Sequence, residues 1–323
     1  MNAGNSSGTS TLELKTMQAR PIPGLFEGFA TLEVTTARVR FSGVVGGRGP
    51  AVLLLHGYPE THAAWHAVAP VLAEHATVVV PDLPGYGRSE WLDDAGDWGK
   101  REVAAELVAM MRDLGHDRFV VAGHDRGARV AYRLALDHPS HVAGHCALAA
   151  VPTLDVWPAV DADFARLNYH WFLFLQDAAL VESLLAGNPD AFLDATLTKM
   201  AGSLDRLHPA ALADYRQAFR RPSVRAAMIR DYQAAYGVDV VHDEVDRAAG
   251  RKIACPTLVF WGEERAVADG IDAGPITAAD VWTRWADDVR SILVPCGHLI
   301  PEHAARKVIN ELVSLVQRTC GDR

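Results

Sequence analysis

No stretch of the chain approaches the ~20 consecutive apolar residues that a bilayer span requires, so no membrane-crossing helix is expected. Basic residues are too few to favour a polyanion. Lys and Arg number 31 against 40 Asp and Glu, a formal charge of −9, which makes nucleic acid and anionic membrane poor partners. The opening MNAGNSSGTSTLELK has neither a basic start nor an apolar stretch behind it. Residues 1–20 therefore read as a flexible polar tail and not as a secretory signal, and a cytoplasmic protein is expected. Cysteine is sparse and scattered: Cys146, Cys255, Cys296 and Cys320 form no C-x-x-C pair, which fits reduced thiols in a cytoplasmic protein. His62 and His66 stand four apart, but no Glu follows His62, so the zinc-protease pattern fails. Gly85-Tyr86-Gly87 does not complete a dinucleotide-binding G-x-G-x-x-G. Nothing in the chain calls for a metal or an organic cofactor.

What is present is an ordinary globular composition, 49% hydrophobic and 22% charged, which excludes a disordered chain. At 323 residues the chain is about twice the ~150-residue size of a common domain, so one large or two interleaved domains are expected. There is no internal repeat. Short apolar runs alternate with amphipathic segments. Ala51–Leu55 ends in His-Gly, Thr77–Val80 in Pro-Asp and Phe119–Ala122 in Gly-His-Asp. Runs that are apolar on both faces and end in a turn read as buried parallel strands. Helices are expected over Arg101–Leu114 and Gly127–Leu136, the second stopping before Asp137-His138-Pro139. A fourth strand is expected at His145–Val151 and a hairpin turn at Val45-Gly46-Gly47.

The rhythm breaks after the fourth run. Residues 153–250 have helical periodicity, many aromatics and no convincing strand. Strands return at Thr257–Trp261 and Ser291–Val294, and a helix closes the chain from about Pro301 to Val316. The expected architecture is α/β, with a mostly parallel sheet formed by 21–152 and 251–323 and a helical cap at 153–250. Such a cap belongs over the C-terminal ends of the strands, where open α/β sheets bind ligands.

The chemistry concentrates in Gly123-His124-Asp125-Arg126-Gly127. This is a G-x-nucleophile-x-G turn between a strand and a helix, with glycines where the bend leaves no room for Cβ. The exposed side chain is a carboxylate, not a serine. A serine here transfers acyl groups. A carboxylate instead attacks saturated carbon, displaces a leaving group and forms an ester that water must cleave.

With that turn, the chain resembles α/β-hydrolases of the dehalogenase and epoxide hydrolase branch, and within it the fluoroacetate (haloacetate) dehalogenases. The resemblance runs from about residue 25 to 315. It rests on HGYPETHAAW at 56–65, PDLPGYGRS at 81–89, GHDRGAR at 123–129, YHW at 169–171, RDY at 230–232 and CGHLIPE at 296–302. It implies the α/β-hydrolase fold, a small anionic substrate and a homodimer. It implies Asp125 as nucleophile and His298, in Cys296-Gly297-His298 after the last strand, as the base that activates water; an imidazole titrates near neutrality. The backbone N–H groups of Tyr58 and Arg126 would form the oxyanion hole. His170, Trp171 and Tyr232 would receive the halide, because a departing fluoride needs N–H or O–H donors. Met200 stands where the family often has a further pocket tryptophan.

Arg126 and Arg129 speak for a haloacid. Three apart at a helix start, they project to one side next to Asp125. A haloacetate and a carboxylate nucleophile ~4 Å apart repel by about 4 kcal/mol at an effective dielectric of ~20, and guanidiniums on the substrate carboxylate offset this. One departure stands out. The family's D-x-x-P-T reads Ala149-Ala150-Val151-Pro152-Thr153 here, with alanine at the acid position. The other usual place, after the next strand, reads Trp261-Gly262-Glu263-Glu264-Arg265. Glu264 is the expected partner of His298, and Glu263 the second choice. Two other readings stay open. One is an epoxide hydrolase that would use Tyr169, Tyr215, Tyr232 or Tyr236 as acids. The other is a non-catalytic member of the fold.

Overall fold

The computed structural model describes residues 22–263 and 277–320. A nine-stranded sheet forms its centre, made of β1 (Ala30–Thr35), β2 (Val39–Gly47), β3 (Ala51–Leu55), β4 (Thr77–Pro81), β5 (Glu90–Trp91), β6 (Phe119–His124), β7 (Val142–Leu148), β8 (Thr257–Gly262) and β9 (Val289–Val294). Their order is β1-β2-β4-β3-β6-β7-β8-β9, with β5 paired to β2. β2 runs antiparallel to both β1 and β4, and every pair from β4 to β9 is parallel. Strands β3, β6, β7 and β8 are buried along their whole length, which is why they appear in the sequence as unbroken apolar runs.

The helices outside the stretch between β7 and β8 are α1 (Ala69–Leu72), α2 (Lys100–Asp113) and α3 (Arg126–Asp137) before it. Between β7 and β8 come α4 (Thr153–Val156), α5 (Ala162–Leu167), α6 (Tyr169–Phe174), α7 (Ala178–Ala186), α8 (Pro189–Ala201), α9 (Pro209–Phe219), α10 (Pro222–Tyr236) and α11 (Val238–Ala248). After β8 come α12 (Ala278–Thr283), α13 (Ile300–His303) and α14 (Ala305–Cys320). Helix α3 packs on β6 and β7, and α14 also lies against these two strands. None of the helices among the described residues is long and apolar enough to cross a membrane.

Helix α11 docks on α3 through buried charge. Arg133 of α3 meets Asp137 at 2.9 Å, Asp243 at 3.2 Å and Asp246. Asp243 also accepts from Tyr132 Oη at 2.7 Å and from Leu154 N at 3.1 Å. Buried ions of this kind fix a relative orientation more than they add stability. Here they seat the helical stretch against the helix that begins at the nucleophile turn.

Three local expectations are corrected. The fourth strand is Val142–Leu148, three residues earlier than His145–Val151. Val142 and Gly144 pair with Phe119 and Val120, and Ala149 turns to φ 53°, which no strand accommodates. The apolar Ala149–Val151 is therefore loop at the end of the sheet. Val45-Gly46-Gly47 is not a turn: it pairs with Val79, Val78 and Thr77, and the chain reverses only after it. The closing helix is two helices, interrupted at Ala304, where φ −126° and ψ 26° leave the helical region.

Candidate active site

The nucleophile turn is built by sterics. Asp125 sits at φ 49°, ψ −112° between β6 and α3. A Cβ on Gly123 would lie 2.3 Å from the Gly127 carbonyl oxygen, and one on Gly127 would lie 2.4 Å from the carbonyl oxygens of Leu55 and His56. Only glycine fits either place, so the carboxylate is pushed to the top of the sheet. A non-glycine residue in so sparsely populated a region stores ~1–3 kcal/mol of strain, a feature of functional turns.

The Asp125 carboxylate is held at both ends. Oδ1 accepts from Tyr58 N at 3.0 Å, and Oδ2 lies 3.5 Å from His298 Nε2. Burial works to raise the Asp125 pKa. The hydrogen bond and charge of His298, with the charges of His124 and Arg126, outweigh it and hold the carboxyl well below its usual range. The group is thus an anion at neutral pH, as a nucleophile must be.

A buried pair behind the turn sets the Tyr58 loop. Glu60 Oε2 accepts from Gly57 N at 2.9 Å and contacts His124 Nδ1 at 2.8 Å. His124 Nε2 contacts the His298 carbonyl at 2.9 Å. Both ring nitrogens of His124 therefore face acceptors, the pattern of an imidazolium against a carboxylate. Burial opposes both charges, yet Glu60 raises the His124 pKa and His124 lowers that of Glu60. Through these contacts one ion pair braces the loops carrying Tyr58, Asp125 and His298.

The two arginines are wholly buried at the start of α3. Arg126 is gripped by Asp231 of α10: Nε meets Oδ2 at 2.7 Å and Nη2 meets Oδ1 at 2.8 Å. Its Nη1 is buried and has no hydrogen-bond partner among the described residues. Arg129 Nη1 donates to the Val151 carbonyl at 2.9 Å and to Thr153 Oγ1 at 3.2 Å, while its Nε is also buried without a partner among those residues. Burial and repulsion from Arg126 lower the Arg129 pKa, though an arginine stays charged through such a shift. Unspent donors on two guanidiniums point to an anionic guest.

Aromatic rings from α6 and α10 close over these groups. Trp171 and Tyr232 meet edge to face at 5.3 Å, and His170 lies 5.5 Å from Tyr232 and stacks on Tyr58 at 5.0 Å. The Arg126 guanidinium lies 4.4 Å from the Tyr232 ring centre, and that of Arg129 lies 5.0 Å from the Trp171 ring. Tyr232 Oη is buried with no partner among the described residues. The structure therefore brings Tyr58, Asp125, Arg126, Arg129, His170, Trp171, Tyr232 and His298 together. Met200 is half-buried at the edge of the same hydrophobic core. Of the other tyrosines, Tyr236 is 61% exposed and Tyr215 donates to Glu302 at 2.9 Å. Tyr169 is 37% exposed and meets His170 edge-on. Glu263 is exposed beyond β8, and Glu264 lies outside the described residues.

Sequence reasoning passed over Asp231, Lys100 and the Glu60–His124 pair. Asp231 is next to Tyr232 in RDY, but no local pattern links it to Arg126, 105 residues away. Glu60 lies within HGYPE, where its spacing of three from Gly57 was the available signal.

A family model described as alpha/beta hydrolase fold matches residues 50–304. A fluoroacetate dehalogenase from Burkholderia sp is 36% identical over 298 residues, which are 90% of this chain and 95% of that protein. A soluble epoxide hydrolase from Corynebacterium sp. is 28% identical over 83% of this chain and 90% of its own length. Among solved structures, a mutant of a Pseudomonas aeruginosa protein provisionally assigned as an epoxide hydrolase, with bound MFA, superposes with a TM-score of 0.87 at 46% identity. It covers 92% of this chain and 98% of that one.

Proposed function

The chain belongs to the alpha/beta hydrolase fold family and is a hydrolase, and from that premise we propose that it converts a short 2-haloacid, fluoroacetate or a related haloacetate, to the 2-hydroxy acid and halide. The observation that carries this reading is the pair of buried guanidiniums with unspent donors beside a buried carboxylate nucleophile. An uncharged substrate has no use for them. The likeness to the Burkholderia dehalogenase supports the same reading.

Arg126 and Arg129 hold the substrate carboxylate and offset its repulsion from Asp125. One Asp125 oxygen displaces halide from the α-carbon. A carbon–oxygen bond forms, and the halide departs with the bonding pair toward His170, Trp171 and Tyr232. His298 then takes a proton from water, and the resulting hydroxide adds to the Asp125 carbonyl carbon. The N–H groups of Tyr58 and Arg126 stabilise the oxyanion. Collapse expels the 2-hydroxy acid as an alkoxide, which takes the proton back from His298, and leaves a water-derived oxygen in Asp125. Glu264 is the carboxylate that we assign to orient His298.

Halide release from fluoroacetate and chloroacetate, measured beside diol formation from styrene oxide, tests the assignment. Multiple turnovers of halide are expected from the wild type and none from Asp125→Asn. One turnover in heavy-oxygen water should label Asp125, and an unlabelled Asp125 would refute the mechanism. The epoxide hydrolase alternative draws on the Corynebacterium relative and the buried Tyr232 hydroxyl, which could protonate an opening epoxide. Faster diol formation would establish it instead.

A further inference from the structure

We propose that Lys100 and Asp231 form a charge-balanced backing for Arg126 that tunes the site for anionic over neutral substrates; this rests on the haloacid reading above. Asp231 is almost fully buried and receives four donors. Oδ1 takes Lys100 Nζ and Arg126 Nη2, and Oδ2 takes Arg126 Nε and Tyr86 Oη, the last at 2.8 Å. Four donors saturate a carboxylate's lone pairs, so Asp231 has no acceptor capacity left for substrate. Its grip fixes the guanidinium plane and leaves Nη1 as the free donor.

The grip has an electrostatic consequence. A carboxylate paired with Arg126 alone would cancel the charge meant for the substrate. Lys100, buried at the first turn of α2, supplies a second cation on the same carboxylate. The trio then carries one net positive charge, which faces an anionic guest. Burial first, then the Arg126 and Arg129 guanidiniums, hold the Lys100 pKa well below its usual value against the charges of Asp239 and Asp125, and the direct contact with Asp231 is what favours the ammonium form there. An arriving carboxylate adds to the side that keeps it charged. Lys100 is thus a positioning residue: it touches Asp231 and acts on the substrate through Arg126.

Lys100→Met separates this role from simple packing. The expected loss is about tenfold to a hundredfold in kcat/KM for chloroacetate, with a similar weakening of glycolate binding. Turnover of the neutral 2-chloroacetamide should fall much less, so the ratio of the two specificities should drop about tenfold or more. The double variant Lys100→Met with Asp231→Asn removes one charge of each sign and returns Arg126's charge to the substrate. It keeps the net charge of the wild-type cluster and should recover most of the lost glycolate affinity, with thermal melts of both variants as the folding control. Equal losses for both substrates, or a double variant that binds glycolate no better than the single one, would overturn the proposal. A wild type that binds no carboxylate at all would instead refute the haloacid reading.

Discussion

Removing the Arg129 charge measures how much the site invests in holding an anion beside an anion. Arg129→Met keeps an apolar side chain of similar stem length and removes the guanidinium that lies over the Trp171 ring. Two unit charges ~4 Å apart at an effective dielectric of ~20 repel by about 4 kcal/mol, which is the barrier that Arg126 and Arg129 together offset. One charge-assisted hydrogen bond is worth about 1.5–3 kcal/mol. At about 1.4 kcal/mol per tenfold, kcat/KM for chloroacetate should fall roughly 10- to 150-fold. Folding should survive, because the substitution also relieves the repulsion between Arg126 and Arg129. Arg129→Lys should fall between wild type and Met, since it retains a charge but not the planar guanidinium whose Nη1 serves both Val151 and Thr153 while its other nitrogens remain for substrate. Initial rates of chloride release over a range of concentrations provide the measurement, with thermal melts as the folding control. A change below twofold for a folded Arg129→Met variant would show that this guanidinium does not hold the substrate, and the reasoning from paired arginines would fail.

Two further predictions concern the buried acids. The Glu302 carboxyl is raised from the usual 4.5 to about 8, first by burial and then by the charge of Glu60. Between those values the folded protein binds a proton that the unfolded chain does not, so stability falls as pH rises through that window. Gln stays neutral at every pH, so the gain in Tm of Glu302→Gln over wild type should be larger at pH 9 than at pH 5; an equal gain at both would contradict the assignment. Glu60→Gln strands the His124 imidazolium without its counter-charge. It should cost about 3–5 kcal/mol in denaturant melts, and a loss under about 1 kcal/mol would mean the pair is not ionic.

Much of the site was legible before any tertiary structure. Asp125, its two glycines and the flanking arginines lie within seven residues, and their meaning is steric and local. His298 could be placed because it follows an apolar run that had to be the last strand. Strand ends were less secure. Ala149–Val151 is as apolar as a strand, and only the left-handed Ala149 shows where β7 stops. The arginines themselves were half understood. Their position beside the nucleophile was plain, whereas the bidentate clasp of Asp231 on Arg126 was not.

The amino-acid order alone determined the layered α/β plan and the kind of nucleophile. Both follow from short-range effects: which faces are apolar, and where a bend admits no Cβ. Folding in three dimensions decided which charges meet. Ion pairing depends on distances between segments far apart in the chain, and a list of residues does not contain those distances. Hence Arg126 reads as a free cation on paper, but in the folded protein it is one corner of a triangle with Asp231 and Lys100.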